Sequence, residues 1–186
     1  LFGHAIRRMG ADGALTTLAG NGTQGLVDGV GKAARFGGPW GLRWGANGRL
    51  YVFDDTSGSL RMIDKDGQVT TWLRLKSGKS VTSEIGSIQD FDVDRDGNVV
   101  MLHKNRVTLL SPDGTSQLLT PNPVAGTVDG PLATAQFEYL NGVAFAPGGG
   151  VLVVGSAVRL IQNGQVVTLK PKLVGEAKAL GSIAGI

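Results

Sequence analysis

Short apolar runs alternate with glycine-containing turns along almost the whole chain. Four Asx-Gly dipeptides recur with spacings of 54, 47 and 50 residues. Each separates two strand-like runs, and Asx-Gly favours a two-residue hairpin turn because both residues tolerate positive φ. The pattern predicts one hairpin in each period of about fifty residues. The four dipeptides are Asp12-Gly13, Asp66-Gly67, Asp113-Gly114 and Asn163-Gly164.

A second series of turns lies between the first: Asn47-Gly48, Asp96-Gly97 and Gly148-Gly149. Each complete repeat is therefore predicted to hold four short antiparallel strands, named a to d in chain order. Such a unit cannot bury both of its faces alone, and radial stacking covers them while leaving only short edges. The predicted fold class is all-β, a β-propeller of four-stranded antiparallel blades.

The repeat boundaries predict a single propeller segment with about three full blades and partial blades at both ends. We expect a partial blade over 1–19, blades over 20–73, 74–120 and 121–172, and the start of another over 173–186. Three interpretations stay open: an excerpt of a longer propeller, a half-ring that pairs with another copy, or an irregular small ring. Unpaired terminal strands would also allow self-association.

The connectors between repeats carry distinctive short motifs. Val-Asp-Gly occurs at 27–29 and 128–130, and a phenylalanine follows at Phe36 and Phe137, whereas the middle repeat lacks both elements. Together with the segments 17–22, 38–42 and 47–52, these motifs resemble the bacterial form of the NHL repeat. The resemblance implies a propeller, but it does not specify a chemistry.

Composition narrows the classes of partner. The net charge is +3, the basic residues are scattered and aromatic residues make up only 6%, which argues against a nucleic-acid surface. There is no cysteine, so disulfides and thiolate chemistry are excluded, and no apolar run reaches the length of a membrane span. From the resemblance we expect a bacterial extracellular or periplasmic protein.

Candidate binding residues follow from the strand order. Both Asx-Gly series are expected on one rim, which leaves the b–c loops and the long d–a connectors on the other. Long loops on a rigid scaffold commonly carry binding residues, although any one of them can simply be solvated. The seven candidates on this second rim are Lys32, Arg35, Asp54, Asp55, His103, Lys104 and Glu138.

An arginine recurs at one position of strand c. Arg7, Arg61 and Arg159 occupy it, and Thr108 replaces them in the middle repeat. Asp54 accompanies Arg61, so we expect a structural Asp54–Arg61 contact between strands b and c. Arg159 lies opposite a glycine in this comparison and is left without an acidic partner.

Catalysis and metal binding find little support. Segment 92–97 resembles the start of a calcium loop, but its later ligand positions hold Val100 and His103, so an ordinary hairpin explains it better. The two histidines, His4 and His103, lie two repeats apart. We therefore predict no catalytic residues, no metal site and no cofactor.

These observations favour a non-catalytic module that presents a binding surface for a protein, peptide or glycan. The alternative is part of a metal-dependent propeller hydrolase or lyase whose ligands converge from other blades. RNA binding, known among animal NHL proteins, is a third and weaker interpretation.

Overall fold

A computed structural model describes residues 3–73 and 86–170 of the chain. The described part is all-β, with sixteen strands in four antiparallel sheets and a single short 3₁₀ helix, Gly31–Ala33. This confirms the predicted fold class. The expected start of a further blade at 173–186 lies outside the described residues, as does much of the connector that precedes the middle sheet.

The first sheet pairs two strands, and the second contains a complete repeat. In the second, four consecutive strands form hairpins in chain order, with β4 at one edge and β7 next to the other edge. The strands are β1 (Ala5–Met9) and β2 (Leu15–Gly20) in the first sheet, and β3 (Gly29–Val30), β4 (Pro39–Trp44), β5 (Leu50–Asp54), β6 (Ser59–Ile63) and β7 (Gln68–Leu73) in the second.

The third and fourth sheets repeat this order. The third has four strands within the described residues, and the fourth has five. They comprise β8 (Asp90–Val93), β9 (Val99–His103), β10 (Arg106–Leu110) and β11 (Ser116–Leu118), then β12 (Gly130–Pro131), β13 (Gly142–Phe145), β14 (Val151–Val154), β15 (Val158–Gln162) and β16 (Gln165–Thr168).

The connectors supply a fifth strand that the turn pattern did not predict. Strand β3 comes from the Val-Asp-Gly segment and pairs with the outer strand β7, and β12 pairs in the same way with β16. Each added strand covers the outer edge of a sheet, which would otherwise expose unpaired backbone groups.

Three apolar cores fill the spaces between neighbouring sheets. Strand β5 is buried along its whole length: Tyr51 and Phe53 pack toward the third sheet, while Leu50 and Val52 pack toward the first. Strand β9 divides its side chains between two cores in the same alternating way. A strand with both faces covered carries apolar residues continuously, which explains the unbroken runs in the sequence.

Most of the Asx-Gly turns differ from the predicted two-residue form. Only Asn163-Gly164 has positive φ at both residues, 50° and 71°. At Asp12-Gly13 and Asp66-Gly67, the glycine alone has positive φ, and its amide donates to the carbonyl three residues earlier. These are type I turns with a glycine bulge, in which the aspartate stays in the ordinary region.

Candidate functional site

The sheet order separates two rims, as the sequence predicts. The turn rim holds the β4–β5, β6–β7, β8–β9, β10–β11, β13–β14 and β15–β16 turns. The connector rim holds the β5–β6, β9–β10 and β14–β15 loops, together with the ends of the long connectors. The seven candidate residues are not gathered at one place on the connector rim.

Lys32 and Arg35 lie on different parts of the first long connector. Lys32 belongs to the 3₁₀ helix, whose Gly31 amide donates to the Gly67 carbonyl at 2.9 Å, so it lies at the turn rim. Arg35 is exposed on the returning part of the connector, where its backbone pairs with Val27. The predicted position of Lys32 is wrong because the connector first runs down the outer edge of the sheet as β3.

Asp54 and Asp55 are neighbours in the chain but differ in environment. Asp54 is completely buried, and its carboxylate accepts hydrogen bonds from the amides of Gly37, Gly38 and Ser57 at 2.7, 3.1 and 3.2 Å. It therefore fixes the connector end to the β5–β6 loop. The expected contact between Asp54 and Arg61 is not formed. Asp55 is exposed on the connector rim.

His103 and Lys104 show the same contrast. His103 takes the position equivalent to Asp54 and is buried, with Gly86 beside its ring. Burial lowers the pKa of His103 below its ordinary value of 6.5, and the positive charges of Arg106 and Lys104 lower it further. Lys104 is exposed in a tight turn. Glu138 is half-buried near Gly155 of the β14–β15 loop.

The partner of Arg61 is the aspartate of the first Val-Asp-Gly motif. Arg61 Nη2 donates to Asp28 Oδ1 at 2.7 Å and to the Val27 carbonyl at 3.0 Å. Nη1 of the same guanidinium donates to the Arg35 carbonyl at 3.1 Å. The guanidinium carbon lies 5.1 Å from the centre of the Phe36 ring. One buried arginine thus ties together both arms of the connector.

Arg159 makes a similar set of contacts two repeats later in the chain. It pairs with Asp129 at 2.8 Å and donates to the carbonyls of Val128 and Gln136, both at 2.6 Å. Its guanidinium carbon lies 4.7 Å from the centre of the Phe137 ring. The expectation that Arg159 lacks an acidic partner is wrong, because the carboxylate comes from the connector and not from strand b.

Each of these aspartates also holds the outer strand. The Asp28 carboxylate accepts the Thr71 amide at 3.0 Å, and the Asp129 carboxylate accepts the Thr168 amide at 2.8 Å. Partial burial alone would raise the pKa of both carboxyls, but these amides and the paired arginines lower it below the usual value of 3.8. We call each Arg–Asp–Thr set a connector clamp.

A sequence signal for the clamp was present. Val-Asp-Gly, the phenylalanine and the strand-c arginine occur together in two repeats, and all three are missing from the middle repeat, where Thr108 stands. Their joint presence and absence indicates that they contact one another. The nearer Asp54 was a misleading partner because proximity in a loop does not specify side-chain direction.

Three cavities formed by the described residues bear on the choice of rim, two at the connector rim and one at the turn rim. The first, of about 610 Å³, lies between the start of β1 and the β5–β6 loop and includes Trp40, Asp55 and Thr56. The second, of about 240 Å³, lies between the β9–β10 turn and residues 120–125. The third is a wide depression of about 850 Å³ across the β8–β9 and β13–β14 turns.

Comparison with known proteins assigns the architecture. No family model matches the chain, and no curated protein matches it. Among solved structures, a protein of unknown function from Bacteroides thetaiotaomicron superposes over 89% of this chain and 42% of its own, with a TM-score of 0.57 at 17% identity. A streptogramin B lyase superposes over 89% and 47%, with a TM-score of 0.53 at 12% identity.

Virginiamycin B lyase from Staphylococcus aureus gives a TM-score of 0.50 at 14% identity, over 90% of this chain and 49% of its own. All three are propellers. The fold is a β-propeller. The chain spans less than half the length of each of these proteins, and identities this low establish the fold alone.

The inner strands of the propeller join neighbouring blades through aspartates. Asp90 on β8 forms an ion pair with Arg43 of the preceding blade and accepts the Val143 amide of the following blade at 3.0 Å. Asp92 accepts the Phe145 amide at 2.8 Å. These carboxylates satisfy backbone donors at the inner edge of β13, which has no strand beyond it in its own sheet.

The segment that resembles a calcium loop is accounted for by the same contacts. Asp92 bonds to the next blade, and Asp94 accepts the amides of Asp96 and Asn98 within its own turn, at 2.9 and 2.8 Å. Across residues 3–73 and 86–170, no three His, Cys, Asp or Glu side chains come close enough to hold a metal ion. Over the same ranges, no helix is long and apolar enough to cross a membrane.

Proposed function

We propose that the chain is an NHL-type, non-catalytic propeller segment that binds a protein, peptide or glycan at its connector rim. The observation that carries this proposal is the pair of cavities on that rim. Each lies between neighbouring blades, and each combines a fixed backbone wall with exposed polar or charged side chains: Asp55 and Thr56 in one, Lys104 and Arg106 in the other. Concave sites with a few polar groups on a rigid frame are typical of ligand binding.

The connector rim is preferred over the larger depression on the turn rim for a chemical reason. The depression is wide and is built from short hairpin turns, and two of its three aspartate carboxylates are already used. Asp92 bonds to Phe145, and both oxygens of Asp94 accept hydrogen bonds from its own turn. By contrast, Asp55 and Lys104 form no side-chain hydrogen bond with any other described residue.

The geometry refines which residues to test. Asp54 and His103 are buried and hold the loops in place, so their substitution would disturb the rim itself. Lys32 lies at the turn rim. Asp55, Lys104 and Glu138 remain as candidate contacts on the connector rim, and Thr56 joins them.

A charge-balanced pair of variants tests the proposal. Asp55→Asn with Lys104→Gln removes one charge of each sign from the connector rim. The matched control is Lys65→Gln with Asp66→Asn, an exposed ion pair at the turn rim. Each protein is screened against a random peptide display library and a glycan array, with the melting temperature measured in parallel.

We expect the unaltered chain to enrich defined peptides or glycans. The rim variant should lose that signal while keeping its melting temperature, and the control should retain it. No enrichment by the unaltered chain, or equal retention by both variants, would rule out this rim as the binding surface.

The competing proposal is a metal-dependent propeller hydrolase or lyase. The solved lyases share only the fold with this chain, and its described residues contain no three-ligand cluster. Any such centre would have to draw ligands from residues outside those described. Elemental analysis of the purified full-length protein decides between the two, because a stoichiometric divalent ion would favour the enzyme.

A further inference from the structure

The smaller cavity on the connector rim combines two cationic side chains with polar and apolar lining residues. Lys104 and Arg106 line one side, on the tight turn between β9 and β10. Pro121, Pro123 and Phe137 also line the cavity, together with the polar Thr120 and Asn122. The volume, about 240 Å³, accommodates one side chain and not a multi-ring ligand.

Neither cation is neutralised within the described part of the chain. Lys104 and Arg106 are exposed, and neither forms an ion pair with any carboxylate in residues 3–73 or 86–170. The recurring strand-c arginines behave differently, since Arg61 and Arg159 are buried against aspartates. Two unpaired cations at the mouth of a cavity attract an anion, and the guanidinium can bind a carboxylate through two parallel hydrogen bonds.

The turn that carries these cations is held in place from both sides. The Lys104 amide donates to Gln89 Oε1 at 2.8 Å, and Asn105 Oδ1 accepts the Leu140 amide of the next connector at 2.8 Å. Lys104 and Asn105 both have positive φ, 44° and 61°, as a two-residue turn requires. A fixed backbone lowers the entropy lost on binding.

We propose that this cavity binds an acidic side chain, aspartate or glutamate, presented by an extended peptide of a protein partner. The prolines and Phe137 pack against the methylene stem, while Lys104 and Arg106 bind the carboxylate. A nucleic acid fits less well, because two cations neutralise only two phosphates and no exposed aromatic stacking platform lines the cavity. The inference rests on the connector rim being the binding surface and names the ligand class there.

The experiment uses the full chain and a short fluorescent peptide with three consecutive glutamates, and binding is followed by anisotropy. The glutamine version of the peptide, a thymidine oligonucleotide and inorganic phosphate are the comparison probes. Lys104→Gln with Arg106→Gln removes the two cations. The matched control is Lys32→Gln with Arg35→Gln, which removes the same charge from two exposed residues outside the cavity.

We expect the glutamate peptide to bind and the glutamine peptide to fail. The cavity variant should bind the glutamate peptide about tenfold more weakly, while the control binds as the unaltered chain does. In the unaltered chain, the amide NMR signals of Asn105, Arg106 and Asn122 should shift on adding the peptide, which tests the location even if the variant does not fold.

Three outcomes would overturn the inference: no binding of the glutamate peptide, equal loss in both variants, or tighter binding of the oligonucleotide or phosphate. Its failure is distinguishable from failure of the proposed function. Glycans or neutral peptides found in the array and display screens could still bind the connector rim while the acidic peptide does not.

Discussion

At the scale of single residues, the least expected feature is an arginine with no solvent exposure. The Arg61 side chain is completely buried, although its partner Asp28 remains about half exposed. A buried guanidinium is tolerated only when it is paired and hydrogen-bonded. Two connector carbonyls, one carboxylate and an aromatic ring meet that need at Nη1 and Nη2, while Nε has no partner among the described residues. The arginine thus fixes where the connector runs.

The clamp predicts a specific cost for neutralising its aspartate. Asp28→Asn removes the negative charge that faces Arg61 and weakens the hydrogen bond accepted from the Thr71 amide. The positive charge of Arg61 stays buried. We expect the free energy of unfolding to fall by about 2 kcal/mol, the scale of a lost hydrogen bond to a charged group. Urea denaturation monitored by tryptophan fluorescence measures it.

The control for that substitution is Asp66→Asn. Asp66 is exposed and, among the described residues, its carboxylate pairs with the exposed Lys65 alone, so its loss should change stability by no more than about 0.5 kcal/mol. If the two variants unfold at the same urea concentration, the clamp does not stabilise the fold.

The lowered pKa of Asp28 and Asp129 predicts the sign of a pH effect. A carboxyl whose pKa is lower in the folded state stabilises the protein fully above its unfolded value of 3.8. That contribution is lost as the pH falls through the folded-state pKa. The stability advantage of the unaltered chain over the Asp28→Asn, Asp129→Asn variant should therefore shrink below pH 3.8.

Denaturation midpoints measured from pH 6 down to pH 3 give this comparison. A difference between the two proteins that stays constant, or grows as the pH falls, would contradict the assigned role of the two carboxylates.

At the scale of elements, the sequence predicts the strands better than it predicts the connectors. The Asx-Gly dipeptides and the apolar runs between them locate β4 to β11 and β13 to β16, because turn chemistry and burial are local or periodic signals. Strands β3 and β12 have only two residues each and form through pairing with a distant strand. No local pattern marks such an edge strand.

The candidate site shows the same division. The order of strands correctly placed Asp55 and Lys104 on the connector rim. Whether a polar loop residue faces solvent or bonds inward depends on amides such as those of Gly37 and Gly38, which are distant in sequence. For that reason, Asp54 and Asp55 could not be told apart before the structure was known.

Two equivalent turn glycines provide a test of packing between elements. Gly48 and Gly97 both have positive φ, 74° and 85°. A β-carbon on Gly48 would meet nothing within 4 Å, whereas one on Gly97 would lie 2.8 Å from the Trp72 ring of the preceding blade. Gly48→Ala should cost about 1 kcal/mol from backbone strain, and Gly97→Ala about 1–3 kcal/mol more because Trp72 must shift.

Thermal unfolding of both variants measures the difference. A Gly97→Ala variant as stable as Gly48→Ala would mean that the β8–β9 turn does not pack against the preceding blade.

At the scale of the whole molecule, neighbouring blades are joined in two ways. The apolar cores fill the space between sheets, and the aspartates of β8 bond across the gap to the inner strands on both sides. The first contact is non-directional, while the second fixes the register of one blade against the next. Asp92, the first carboxylate of the segment that resembles a calcium loop, thus has a role in assembling the propeller.

Asp92 allows this role to be measured. Asp92→Ala would leave the Phe145 amide without its acceptor across the blade interface, whereas Asp92→Asn retains an oxygen that can accept it. We expect the alanine variant to lose about 1–2 kcal/mol of stability and to exchange the Phe145 amide hydrogen faster. The Val153 amide, on the next strand of the same sheet, should exchange as before in a variant that remains folded.

The asparagine variant separates the hydrogen bond from the charge. If Asp92→Asn protects the Phe145 amide as the native aspartate does, directional bonding joins the two blades at this point. If the amide exchanges equally fast in the native chain and in Asp92→Ala, the Asp92–Phe145 bond has no energetic weight, and the apolar core with the remaining bonds from Asp90 and Asn105 holds the third and fourth blades together.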